Sequence, residues 1–206
     1  MSSKEEHMLE ALQLAKNGLL TASPNPMVGC VITYKNEVIG RGWHERSGEN
    51  HAEINAIEDV FSNLGKKSKE ALKQSELFVN LEPCTTFGKT PPCADSINEY
   101  GIKKVYFGNE DKAQKGFSKM HPGIEVESGL LKEEGRKLNR GFFSRIEKAR
   151  PYISCKVAST LDGGIALPSG KSKWITSSDS RKDVHKIRAY SDAILTGTGT
   201  IQKDNP

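Results

Sequence analysis

Between residues 8 and 107 the hydrophobic pattern changes period repeatedly, and a chain with that pattern needs a sheet covered by helices to bury both kinds of segment. Met8, Leu12, Ala15 and Leu19 recur at helical spacing, and the pattern fades near Asn17-Gly18, which predicts an amphipathic first helix. Residues 28–34 and 37–42 are rich in β-branched side chains and are separated by Lys35-Asn36, a connection short enough for an antiparallel hairpin. Helical spacing returns over residues 51–61 through Ile54, Ile57 and Phe61. Residues 77–81 read as a buried strand, 93–100 as a helix and 104–107 as a further strand. The alternation predicts the α/β class, as a layered α/β/α sandwich.

Residues 130–148 form a charged helical segment that stops before Pro151, because the residue preceding a proline is pushed out of helical conformation. A domain boundary is expected there, with a first domain over residues 1–150 and a second piece over 151–206. The second piece restarts the alternation, with strand-like residues 153–158, a helix over 178–189 and strand-like residues 193–196. It reaches Asp204-Asn205-Pro206 with no sheet completed, so it reads as the incomplete start of another α/β domain.

A chain of 206 residues with 35% hydrophobic and 27% charged residues is globular rather than disordered. Lys4, Glu5, Glu6, His7 and Lys16 interrupt the apolar residues of the first helix, so that segment reads as neither a signal peptide nor a membrane span. A cytoplasmic protein without a membrane partner is expected, and a homo-oligomer is compatible with everything read here. The net charge of +4 suits a phosphorylated small molecule and does not by itself indicate nucleic acid. Lys66, Lys67 and Lys69 read as a solvated loop. Four cysteines are too few for a disulfide scaffold, so metal ligation or burial is the expected use. Cys30 and Cys155 lie in apolar, strand-like runs and read as buried packing residues, which leaves Cys84 and Cys93 for chemistry.

His51-Ala52-Glu53 and Pro83-Cys84, followed by Cys93, resemble the histidine-x-glutamate and proline-cysteine elements of zinc deaminases. His51, Cys84 and Cys93 are therefore the candidate ligands of Zn2+. One imidazole and two thiolates leave the ion neutral and one coordination position open, as a catalytic site requires and a closed structural site does not. Zinc so held makes a nucleophile available at neutral pH. Glu53 is kept for proton transfer. It stands two residues from His51, so the pair is not stacked on one helix face, but both can enter one cavity from a helix N-terminus. Enclosure of the carboxyl beside an aromatic substrate is expected to raise its pKa. Cys93 is expected to open the helix over residues 93–100.

Eight residues separate Cys84 from Cys93, unlike the two of the common deaminase motif. The longer spacing, with Pro24-Asn25-Pro26-Met27-Val28-Gly29-Cys30, Leu81-Glu82-Pro83-Cys84 and Gly88-Lys89-Thr90-Pro91-Pro92-Cys93, resembles the bifunctional deaminase/reductase family of riboflavin biosynthesis. Residues 156–163, 173–177 and 193–196 look like the opening of that family's reductase domain. The resemblance implies a cytidine-deaminase-like first domain that removes an amino group from a diamino-hydroxy-pyrimidine bearing a phosphoribosylamino group. It also implies a second domain that reduces the ribosyl group to ribityl with NADPH. By motif position, Asn25 would contact the deaminase substrate. Ala158, Trp174, Thr200 and Asp204 would fall on the NADPH side of the reductase, and Ser172 and Arg188 on its substrate side.

Two departures from the family pattern fall where, by the resemblance, substrate and not zinc would be held. Thr85-Thr86 replaces a serine-histidine pair, and Asp111-Lys112-Ala113-Gln114 replaces an aspartate-proline-asparagine-proline stretch. The competing readings are a zinc deaminase for another base, a nucleoside or a tRNA adenosine, and a zinc-stabilised binding module without catalysis. An aromatic content of 7% with no aromatic stripe argues against splayed nucleic-acid bases. Glu53 argues against the binding module, because a structural zinc site has no use for a non-ligand carboxylate beside its histidine.

Overall fold

The computed structural model describes residues 2–114 and 116–205, with the side chains of Ser118, Met120 and Asp204 outside the description. Two compact units divide the chain, Met1–Tyr152 and Ile153–Pro206. In the first, α1 (Ser3–Ala15) is opened by a capping box: Ser2 Oγ accepts from Glu5 N, and Glu5 Oε2 accepts from Ser2 N. Met8, Ala11, Leu12 and Ala15 form its buried stripe, and a 3-10 turn over Lys16–Gly18 ends the helix before Leu19. The hairpin β1 (Gly29–Tyr34) and β2 (Glu37–Trp43) turns through Lys35 and Asn36. Both have positive φ, as a two-residue turn matched to strand twist demands.

After α2 (Ala52–Leu64) and the short α3 (Ser68–Leu72), β3 (Ser75–Leu81) pairs antiparallel to β1. Then α4 (Cys93–Glu99), β4 (Lys104–Asn109), α5 (Phe117–Met120) and β5 (Glu125–Ser128) follow, with β4 parallel to β3 and β5 parallel to β4. The strand order is β2-β1-β3-β4-β5.

Two-residue alternation sorts the sheet into two cores. Val31, Phe78 and Tyr106 face one side and pack with Met8 and Leu12 of α1, where the Phe78 and Tyr106 rings stack at 4.5 Å. Cys30, Ile32, Leu77, Val79, Val105 and Phe107 face the other side, against Ala56, Ile57 and Val60 of α2 and Ile97 of α4. Helix on sheet on helix is the layered sandwich that the periodicity predicts. Sequence periodicity missed β5, a four-residue edge strand with little buried surface.

Glycines let α2 lie directly on β2. A methyl group at Gly42 would overlap the Ala52 carbonyl and the Ala56 amide, and one at Gly40 would overlap the Ala56 carbonyl. Gly42→Ala is therefore expected to destabilise the first unit by about 3 kcal/mol, the upper end of overpacking costs, read as a lowered urea midpoint at unchanged m. An unchanged midpoint would show that the helix shifts without cost.

The segment predicted as one helix over residues 130–148 is two, α6 (Lys132–Leu138) and α7 (Arg140–Lys148). They break at Asn139, whose backbone leaves helical geometry (φ −108°, ψ 33°). In the second unit α8 (Ser178–Ala189) spans the predicted residues, and α9 (Thr198–Asp204) follows. The strands expected at 153–158 and 193–196 are absent: these residues form no ladder, because a strand exists only when a neighbour satisfies its backbone groups. Cys155, expected to be buried, is exposed for the same reason, whereas Cys30 is buried as expected. No helix among the described residues is long and apolar enough to cross a membrane.

Candidate metal centre and deaminase cavity

The ends of three elements meet where β3 leaves the sheet. His51 is the extended residue before α2 (φ −76°, ψ 165°), Cys84 lies three residues beyond β3, and Cys93 is the first residue of α4. Cys84 is tied to α4 twice, its carbonyl accepting from Ala94 N at 3.1 Å and its sulfur from Cys93 N at 3.1 Å. His51 Nδ1 lies 3.4 Å from Cys84 Sγ and 3.3 Å from Cys93 Sγ, and all three atoms lie within 4.8 Å of one another. Zn–S and Zn–N bonds at a tetrahedral angle put sulfur and nitrogen about 3.5 Å apart, so this donor set fits a zinc ion. Cys84 is drawn down, to about 4, by hydrogen bonds from the Cys93 thiol and from His51. Cys93, the donor to that sulfur, moves the other way, raised by that same contact and by burial. His51 is raised by its hydrogen bond to Cys84.

Glu53, in the first turn of α2, is 3% exposed, and burial pushes its carboxyl up to about 7, in the direction expected from enclosure. It lines the same cavity as His51 and Cys84. Asn25 lines that cavity too, so the structure brings together the five deaminase residues picked from sequence, with Cys93 adjoining through its sulfur.

Other residues of this cavity escaped sequence reasoning. His44 is buried, its ring set edge-on to His51 at 5.3 Å. Its Nδ1 must carry the proton, because it meets the Asn50 carbonyl oxygen at 3.0 Å; its Nε2 therefore accepts from Asn25 Nδ2, also at 3.0 Å. That pairing turns the Asn25 amide oxygen away from His44. Burial pushes the His44 pKa down, which keeps this ring neutral. Asn139, at the α6–α7 break, accepts from Met27 N and donates to Met27 O, both at 2.8 Å. Asn80 adds a donor to Met27 O at 3.0 Å and an acceptor for Gly29 N at 2.8 Å. The segment carrying Asn25 is thus held by two side-chain amides. Phe142, Val28 and Leu81 supply apolar wall. His44, Asn80, Asn139 and Phe142 lie outside the quoted motifs, and only a histidine near the hairpin end offered any signal.

Residues 1–109 match the family model described as the cytidine and deoxycytidylate deaminase zinc-binding region. The chain belongs to this deaminase family. Residues 151–206 match a second model, the RibD C-terminal domain. Among curated relatives of this family member, the riboflavin biosynthesis protein RibD of Buchnera aphidicola subsp. Baizongia pistaciae is 45% identical over 97% of this chain and 53% of its own length. That of Aquifex aeolicus is 44% identical over 98% and 56%. The crystal structure of a diaminohydroxyphosphoribosylaminopyrimidine deaminase/5-amino-6-(5-phosphoribosylamino)uracil reductase from Thermotoga maritima superposes with a TM-score of 0.90 at 43% identity. It is covered over 58% of its length by 99% of this chain. The chain spans about half the length of the curated relatives it matches. The resemblance carried by the sequence motifs is borne out, as is the cytidine-deaminase-like fold, and zinc is the metal of this deaminase family.

The residues assigned to the reductase lie in the second unit. Ala158 is half-buried in a segment without regular structure, Ser172 is exposed, and Arg188 and Thr200 are exposed on α8 and α9. Trp174 is 70% exposed, with the Arg181 guanidinium over its ring at 4.2 Å. The Asp204 side chain lies outside the described residues.

Proposed function

We propose that this chain catalyses hydrolytic deamination of a diamino-hydroxy-pyrimidine bearing a phosphoribosylamino group, a step of riboflavin biosynthesis. In this reading His51, Cys84 and Cys93 hold Zn2+, and Glu53 moves the protons. One observation carries it: three donors spaced for zinc, two of which line a cavity, meet a buried carboxylate that lines the same cavity and is not one of them. Zinc, when bound, supplies the Lewis acidity that makes water a nucleophile at neutral pH. A Glu53 oxygen takes the proton that the attacking water loses and delivers it to the ring nitrogen. A second transfer through the same oxygen reaches the departing amine, so ammonia leaves and a ring carbonyl remains. Asn25, oriented by neutral His44, offers its amide oxygen to a donor of the ring, and Phe142, Val28 and Leu81 provide a wall suited to a flat heterocycle.

An ammonia-release assay tests this against the pyrimidine phosphoribosylamine, cytidine and cytosine in parallel. Release from the first with little from the others is expected, whereas preference for cytidine would move the chain to another substrate. A small phosphorylated molecule is the partner in this reading, with no nucleic acid.

Ala158, Trp174, Thr200 and Asp204 are proposed for the NADPH side, and Ser172 and Arg188 for the substrate side, of the reductase active in the longer relatives. Among the described residues the second unit has no strand, and it leaves Leu161, Trp174 and Leu195 exposed. A polypeptide of these 206 residues is therefore expected to deaminate without oxidising NADPH, because nicotinamide pockets enclose most of the ligand's surface. NADPH loss at 340 nm in step with consumption of the deaminated product would overturn that expectation.

A further inference from the structure

Glu82, Asp111 and Gln114 line the cavity and also form one hydrogen-bonded chain that joins the Cys84 segment to the loop after β4. Glu82 is buried just beyond β3. Its Oε2 accepts from Asp111 N at 2.9 Å and its Oε1 from Phe117 N at 2.6 Å, so one carboxylate pins both ends of that loop. Gln114 reaches back from inside the loop. Its Oε1 accepts from Thr85 N at 2.6 Å, one residue after Cys84, and its Nε2 donates to Asp111 Oδ2 at 2.6 Å. Asp111 Oδ1 accepts from Ala113 N at 3.0 Å, so both carboxylate oxygens are anchored.

The glutamine amide has one possible orientation here. A backbone N–H only donates and an ionised carboxylate only accepts, so exchanging oxygen and nitrogen would break both bonds. Among long side chains, lysine and arginine only donate and ionised glutamate only accepts, whereas glutamine does both. Gln114 also falls in the stretch where this chain departs from the family pattern.

We infer that Gln114 is a positioning residue of the deamination site: it aims the Asp111 carboxylate into the cavity, at an amino or hydroxyl donor of the substrate, and braces the backbone behind Cys84. The inference rests on the functional reading above. Wild type, Gln114→Ala and Gln114→Glu are compared in steady-state kinetics with the pyrimidine phosphoribosylamine, in calorimetric Kd for the deaminated uracil product, and in zinc per chain. Gln114→Ala is expected to raise KM and product Kd about tenfold, the size of one hydrogen bond to a charged group, with kcat within about twofold and zinc unchanged. Gln114→Glu keeps the shape and the acceptor for Thr85 N but sets a second carboxylate against Asp111. It should raise both constants further than the alanine.

A space-filling role demands the reverse order, since glutamate is nearly isosteric with glutamine. Unchanged KM and Kd in both variants, a milder glutamate than alanine, or activity falling in step with zinc would each overturn the assignment. A wild-type chain inert toward this pyrimidine overturns the functional reading itself, and that result is distinct from an active wild type with indifferent variants.

Discussion

Glu53→Gln is expected to retain about one zinc per chain and the wild-type fold while kcat for ammonia release falls about a thousandfold. The amide fills the same buried volume in the first turn of α2, so packing is preserved, but it cannot accept a proton and return it. Proton transfer by a placed side chain contributes roughly two to four orders of magnitude, and in the proposed mechanism one carboxyl serves more than one transfer. Removing a buried ionisable group also removes the cost of burying its charge, so thermal stability should hold or rise. Metal analysis beside initial rates decides the matter: if Glu53→Gln lost zinc and its remaining activity scaled with metal, Glu53 would be a ligand and the proton-transfer role would fall.

Cys84→Ser is expected to abolish both metal and turnover. The wild-type sulfur is the acceptor toward which Cys93 Sγ, Cys93 N and His51 converge, and these contacts draw its pKa down, which favours the thiolate that zinc needs. A serine hydroxyl stays protonated there and is a far weaker zinc ligand, so bound zinc should fall below about a tenth of an equivalent with activity in proportion. The loss also has a thermodynamic signature. Metal that binds only the folded state stabilises it by mass action, so zinc added to metal-free wild type should raise Tm while leaving Cys84→Ser unmoved. Stoichiometric zinc in the serine variant would remove Cys84 from the ligand set.

Legibility in the sequence followed the kind of signal each element carries. The hairpin was readable because Lys35-Asn36 sits between two β-branched runs and turns through positive φ. The helix that follows His51 was readable from Ile54, Ile57 and Phe61, and the helix over 178–189 from its own spacing. Residues 153–158 and 193–196 show the opposite case. Their composition is strand-like, but a ladder is a property of two segments, and none pairs with them among the described residues. The single helix expected over 130–148 missed its break because one asparagine lowers helix propensity by only a fraction of a kcal/mol and does not end a helix on its own. Only the Met27 backbone, 112 positions away, gives its side chain a use.

By itself the sequence determined the layered α/β class, the family, and the group His51, Glu53, Cys84 and Cys93, because periodicity and metal-ligand identity are local properties that spacing can carry. The family resemblance also picked out Asn25, which lines the same cavity. Only the tertiary structure decided that His44 orients Asn25, that Asn139 and Asn80 hold the segment bearing it, and that Gln114 and Glu82 bind the loop after β4 to the Cys84 segment. These are polar side chains on irregular backbone. Each acts on a main-chain or side-chain partner distant in sequence, and a hydrogen bond of that kind leaves no period, no spacing and no hydrophobic trace along the chain.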